Sequence, residues 1–376
     1  MYLKIFLSLV ISTCFFSSCN NYKSTDYKGE IFQFNIENIL ELNSFDSDKE
    51  DAIVGEISYV LTDSENRIYV ADRMGMNIKV FSNNGTLLHT IGRRGRGPGE
   101  MLDITAITID ANDHLFIADQ MNQRITKFSA NGEEIQTWNL SPNKILWPRW
   151  MKSSADHFLF AYKLPDSSNN PYLFHEFSYI DSLKTIQEFG HFDELASDNS
   201  LFPRLHAMFF PGSITLDSTS LYFAPSLYNG EIKLLKKNSS GWKLENNFSG
   251  YSIHHKAFEK VEQPYPSHAF SISGRQKAGG IILSESLGLF KLNNGKLIHF
   301  SLQQNEQDSM NIYTEVFDSR GNLEKVGIIP ALSDFNQRFK NSPIRFMWKD
   351  KNDHFYLVDN STSRTFTLKI ISIPNI

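Results

Sequence analysis

Five stretches of the chain set a proline just ahead of, or within, a group of charged and aromatic residues. They are Pro98-Gly99-Glu100, Trp147-Pro148-Arg149-Trp150, Phe202-Pro203-Arg204-Leu205-His206, Pro264-Tyr265-Pro266-Ser267-His268 and Ser342-Pro343-Ile344-Arg345. A guanidinium group offers planar, paired donors to a carboxylate or sulfate, and aromatic faces suit cations and sugar rings. Gathered at one opening, Arg149, Arg204 and Arg345 with Trp150, His206, Tyr265 and His268 would line a cationic, aromatic funnel for an anionic or sugar-like ligand. The structural alternative is that the prolines stiffen crossing loops while the arginines pair with acids such as Glu100 or Asp103. A second anion-binding candidate is the run Gly92-Arg93-Arg94-Gly95-Arg96-Gly97-Pro98-Gly99-Glu100, where Arg93, Arg94 and Arg96 crowd into four positions. It has no Gly-Lys-Ser/Thr and opens no helix, so neither a Walker loop nor a dinucleotide fingerprint fits. Its glycines equally suit a tight connection that needs positive φ.

The remaining titratable residues repeat, and repetition points to structure. Asp72, Asp119 and Asp359 end the same type of strand, where a carboxylate accepts backbone N–H groups of the following turn. His114, His157 and His354 share one frame just before that strand, and are read as turn residues. No His-Glu-x-x-His or His-x-His is present, and no set of nucleophile, base and acid emerges. The sequence therefore assigns no catalytic residue, no metal and no cofactor.

The elements that must position these groups come from a repeat. Asp63-Ser-Glu-Asn-Arg-Ile-Tyr-Val-Ala-Asp72 returns as Asp110-Ala-Asn-Asp-His-Leu-Phe-Ile-Ala-Asp119, and Asn84-Gly85 as Asn131-Gly132, at one offset of 47 residues. Each copy holds short runs of β-formers separated by turn residues, with Asn-Gly accepting the positive φ of a tight hairpin. One period thus supplies about four short antiparallel strands, the content of a propeller blade. Looser copies follow at Ala155–Ala161, Leu221–Ala224 and Gly280–Leu283, and Asp350–Asp359 restores the pattern almost letter for letter. The fold predicted is all-β, a six-bladed β-propeller of four-stranded antiparallel blades over residues 31–376. Ile31–Leu42 is expected to close the ring by pairing with the last blade, and blade five to open at Gly280. A seventh blade would need a hairpin in Phe189–Phe210 or Tyr251–Phe270, and neither stretch reads as one.

Composition narrows the partners. A net charge of −5 gives no bulk attraction to nucleic acid. At the amino end, Lys4, an apolar run Ile5–Phe16 and Phe16-Ser17-Ser18-Cys19 resemble a bacterial lipoprotein signal, with residues 1–18 removed and Cys19 acylated; the alternative is ordinary secretion with cleavage elsewhere. Residues 19–30 would then be a polar tether. Cys14 would leave with the signal, so thiol catalysis and disulfides drop out.

Ile91-Gly-Arg-Arg-Gly-Arg-Gly-Pro-Gly-Glu100 between two Tyr/Phe-x-Ala-Asp strands resembles the six-bladed, NHL-like β-propeller lipoproteins of Bacteroides and relatives. That resemblance implies a fold and a cell-envelope location but no reaction, and with the lipid anchor the expected place is the outer membrane, on its periplasmic or surface face. The first functional expectation is a monomeric binding or protein-interaction module. It would meet the membrane only through its lipid, and its partner would be an envelope protein or a glycan or peptide ligand. The second is an NHL-like propeller enzyme, a lyase or hydrolase, with His206, His268 and Glu100 near the channel mouth.

Overall fold

The computed structural model describes residues 27–43, 52–140, 148–153, 158–162, 171–180, 182–196, 198, 200–207, 210–254, 256–267, 269–272, 278–307, 309–332, 344–359, 366–374 and 376. Six sheets of at least four strands stand around one axis; in blades one to four the innermost strand comes first in the chain, whereas the sheets of blades five and six take their outermost strand from the amino end. Blade one comprises Ile57–Thr62, Ile68–Asp72, Asn77–Phe81 and Leu87–Ile91. Blade two repeats it with Ile104–Ile109, Leu115–Asp119, Arg124–Phe128 and Glu134–Asn139. Blades three and four run from Met151 to His191 and from Ser213 to Ser249. Innermost strands touch between blades one and two, two and three, four and five, five and six, and six and one, so the ring is closed. Blades three and four meet through their outer strands Lys184–His191 and Gly241–Ser249.

Strand sequence explains blade packing. Ile68–Asp72 and Leu115–Asp119 are buried along their whole length, because each lies between neighbouring strands with a blade packed on both faces. Leu61, Tyr69, Ile78, Ile107, Leu115 and Phe128 interlock between blades one and two. The repeated aspartates do what the sequence suggests. Asp72 accepts from the backbone N–H groups of Gly55, Glu56, Met74 and Gly75, and Asp119 from those of Leu102, Asp103 and Asn122. Each carboxylate thereby ties the entry of the innermost strand to the turn after the second one. Asp359 differs, holding Lys369 Nζ at 2.8 Å. His114 and His354 sit in turns, each with Nδ1 about 3 Å from Asp110 or Asp350. His157 lies outside the described residues.

Three features depart from the sequence reading. Ile31–Leu42 is two strands: Glu37–Asn43 pairs antiparallel with Thr367–Ser372 as the outer strand of blade six, whereas Ile31–Gln33 pairs parallel with Leu323–Ile328 of blade five. The break falls at Phe34, which is buried against Gly327, where a Cβ would stand 2.5 Å from the Phe34 ring. Blade five opens at Ser284–Lys291 and continues through Leu297–Gln304, Met310–Phe317 and Leu323–Ile328. Ala278–Ile282, expected to open that blade, is instead the middle strand of a small sheet between Phe258–Val261 and Phe270–Ile272. Its two glycines permit this placement, since Cβ atoms at Gly279 and Gly280 would each lie 2.6 Å from the rings of Tyr265 and Phe202. The stretch Tyr251–Phe270 thus does carry strands, but they build an insertion rather than a seventh blade.

Candidate functional site

The innermost strands of blades one, four, five and six, with the entry to blade three, surround a cavity of about 420 Å³ at the axis. Arg149, Trp150 and Arg345 line it, as the proline-led reading expects, together with Tyr59, Arg73, Glu56, Glu285 and Ser286. The proline rule works where the proline precedes an innermost strand directly. Arg149 and Trp150 lead into Met151–Ser153, and Arg345 lies on Ile344–Lys349.

The guanidinium groups are not equivalent. Arg73 Nη1 meets Glu56 Oε1 at 3.1 Å. Arg345 lies 3.5 Å from Glu285 and stacks on Phe210 with 4.7 Å to the ring centre. Arg149 is different: its Nε is buried and finds no acceptor among the described residues. Burial pushes the Asp103 carboxyl up, and the charges of Arg149 and Arg73 oppose that shift. Burial likewise pushes the Tyr59 phenol up to about 12, against the pull of Arg149. Tyr59 is therefore a neutral donor at working pH, and its hydroxyl is held by the carbonyl of Thr105 and lies 3.3 Å from that of Arg149.

Arg204 and His206 do not reach this cavity. Pro203 lies in the first turn of a helix, Leu201–Ala207, where its missing N–H costs nothing. The helix turns both side chains away from the axis. Arg204 pairs with Asp193 and covers the Phe192 ring. His206 is 1% exposed, with Nδ1 3.0 Å from Ser226 Oγ, and its ring packs among Phe202, Phe210 and Phe270. Burial, helped by Arg345, pushes its pKa down to about 3, so the imidazole is neutral. It borders a second cavity of about 370 Å³, lined largely by apolar residues such as Leu173, Phe192, Phe223, Leu227 and Phe258. Tyr265 packs over Gly279 in the inserted sheet and lines neither cavity. His268 and Cys19 lie outside the described residues.

The arginine loop is tied to itself. Glu100 accepts from Gly97 N at 2.7 Å and Arg93 Nε at 2.9 Å, and these donors hold its carboxyl below the usual range. Arg94 donates to the Met74 carbonyl, while Arg124 caps the carbonyls of Arg96, Gly97 and Glu100. Arg93, Arg94 and Arg96 are exposed and do not line the central cavity. Glu100 is likewise away from it.

Sequence reasoning misses Tyr59, Arg73 and Ser286 at the cavity, and His299 and Glu315 behind it. Ser286 Oγ lies 2.8 Å from His299 Nε2, and His299 Nδ1 lies 2.6 Å from Glu315 Oε2. The available signal was polar side chains on the buried phase of strands that otherwise read as apolar. Among the described residues no group of three or more His, Cys, Asp or Glu is placed to hold a metal ion.

A ring of six four-stranded blades with a ligand-sized hollow on its axis defines a six-bladed β-propeller. The chain belongs to the family described as 6-bladed beta-propeller, whose model matches residues 30–271. Among solved structures it resembles a Bacteroides fragilis protein provisionally described as exported, with TM-score 0.55 and 10% identity over 92% of this chain and 100% of that one. A Bacteroides vulgatus protein is similar to the same degree, with TM-score 0.55, 10% identity and the same coverage. A streptogramin B lyase is also similar, with TM-score 0.46 and 13% identity over 87% of this chain and 81% of that one. No match was found among curated proteins. These likenesses concern the fold.

Proposed function

We propose that this protein is a lipid-anchored binding module of the cell envelope whose axial cavity takes an anionic ligand, a carboxylate-bearing glycan or peptide. The observation that carries the reading is Arg149, whose Nε–H is buried at the cavity wall without an acceptor among the described residues. A buried donor left unpaired costs about 1–3 kcal/mol, and a ligand carboxylate would recover that. Trp150, Tyr59 and the Phe210 face beside Arg345 supply the flat apolar surfaces that sugar rings and peptide planes need. The envelope location rests on the lipoprotein-like segment ending at Cys19 and on the export described for the Bacteroides fragilis neighbour. Partners are expected to be a glycan, a peptide or an envelope protein, met by a monomer.

Titration calorimetry with oligogalacturonides and acidic tripeptides tests the binding claim. Saturable binding is expected, weakened at least about tenfold, or ~1.4 kcal/mol, by Arg149→Ala. No saturable binding, or equal affinity in an Arg149→Ala/Arg345→Ala double variant that remains folded, would end the reading. Acyl labelling in the native host checks the anchor, and Cys19→Ala should abolish it.

A further inference from the structure

Blade five carries a row of side chains that the binding reading does not use. Ser286, on the innermost strand, is 8% exposed and lines the axial cavity. Behind it His299, on the second strand, and Glu315, on the third, are fully buried. His299 and Glu315 are direct cross-strand partners. The pairing of the first two strands slips between Ser286 and Gly288, a bulge that re-aims the serine toward the histidine. The contacts are short and in sequence: Glu315 Oε2 to His299 Nδ1 at 2.6 Å, then His299 Nε2 to Ser286 Oγ at 2.8 Å. Glu315 Oε1 accepts from the Tyr228 hydroxyl at 2.9 Å and from the backbone N–H of Tyr251. A carboxylate so supplied with donors only accepts, which fixes the imidazole proton on Nδ1 and leaves Nε2 as the base facing Ser286. Ser286 Oγ also donates to Ser213 Oγ at 2.8 Å, and in the proposed step this proton turns to His299 Nε2.

We infer that Ser286, His299 and Glu315 form an acyl-transfer centre opening on the axial cavity, with Ser286 as nucleophile, His299 as general base and Glu315 as positioning residue. The substrate class is an ester or amide carrying an acidic group near its scissile carbonyl; that acidic group rests on the binding reading above, through Arg149 and Arg345. As Ser286 Oγ forms its bond to the carbonyl carbon, its proton passes to His299 Nε2. The carbonyl π pair moves to oxygen and returns as the bond to the leaving oxygen or nitrogen breaks, and His299 delivers the proton to that atom. Water then gives a proton to the freed Nε2 and its oxygen to the acyl carbon. Ser286 Oγ leaves and takes the proton back, so the net reaction is hydrolysis.

An uncharged alkyl fluorophosphonate probe, with adduct mapping by mass spectrometry, tests this on the full chain. An adduct on Ser286 is expected, absent in Ser286→Ala and formed at least about a hundredfold more slowly in His299→Gln. Because the buried variants can unfold, Ser286→Cys gives an independent reading. Its alkylation by iodoacetamide should titrate well below the ordinary thiol value near ~8.5, and Glu315→Gln in that background should raise the midpoint. No adduct on Ser286 in folded protein, or an ordinary thiol titration for Ser286→Cys, overturns the inference. Labelling without calorimetric binding would sink only the anionic-ligand reading. Binding that survives in Ser286→Ala beside unlabelled native protein would sink only the acyl-transfer one.

Discussion

Blades one and two place their buried carboxylates in turns, whereas blade five runs its polar side chains through the middle of the sheet. In the first pair, Asp63, Asp72, Asp110 and Asp119 each hold backbone N–H groups beside a turn, and the strands between them interlock through Leu61, Ile78, Ile107 and Phe128. In blade five, His299, Ser301, Gln303, Thr314 and Glu315 are all wholly buried within the strands. A turn carboxylate needs only its local loop, so it can be copied from blade to blade. A buried interior row needs partners from neighbouring strands and from Tyr228 and Tyr251 of the preceding blade and its exit. Such rows are costly unless their members find partners, and blade three, where His175 and Glu176 are also buried within a strand, meets the same demand through Lys237 and Trp242 of blade four.

The contrast can be broken by measuring what each arrangement is worth. Glu315→Ala leaves His299, Tyr228 and the Tyr251 N–H without their acceptor, and should destabilise by about 3–5 kcal/mol in denaturant unfolding. Second comes His206, joined through Ser226 to the backbone of Ser286. Its folded pKa is depressed to about 3 from an ordinary value near 6.5. The unfolded chain therefore binds the proton first, and stability intact above pH ~6.5 should fall by up to about 1.4 kcal/mol per pH unit toward pH 3. His206→Phe should flatten that part of the profile. Asp119→Ala removes acceptors from Leu102, Asp103 and Asn122, with an expected cost of about 1–2 kcal/mol. A cost equal to that of Glu315→Ala would erase the distinction between the blades. Arg93→Ala, at an ion pair whose guanidinium side chain is 80% exposed, should change stability by less than about 0.5 kcal/mol.

The fold was legible because its signal is local and repeated. Asn84-Gly85 and Asn131-Gly132 fix hairpins within a few residues of the strands that they join, and the offset of 47 declares the period. The cavity was legible in part. Pro148 and Pro343 each lead into an innermost strand, so Arg149, Trp150 and Arg345 meet at the axis, whereas Pro203 starts a helix that carries Arg204 and His206 into side packing. The row behind Ser286 was not legible, because the residues meet through strand register and a bulge rather than sequence spacing. Their only trace was His299 and Glu315 on runs that otherwise read as core. Gly279 and Gly280 misled for a related reason: the strand that they belong to was recognised, but the rings of Tyr265 and Phe202 assign it to the inserted sheet.

The pairing of Glu37–Asn43 with Thr367–Ser372 joins an early-made segment to a late-made one. During synthesis the early segment waits unmatched until the late strand emerges, while blades one to four can already stack in turn. Arg345 arrives only with that last stretch, so no shortened translation product carries a complete cavity wall. The proposed ligand site is thus whole only when the disc is, and premature termination would yield molecules that are both open-edged and without that site.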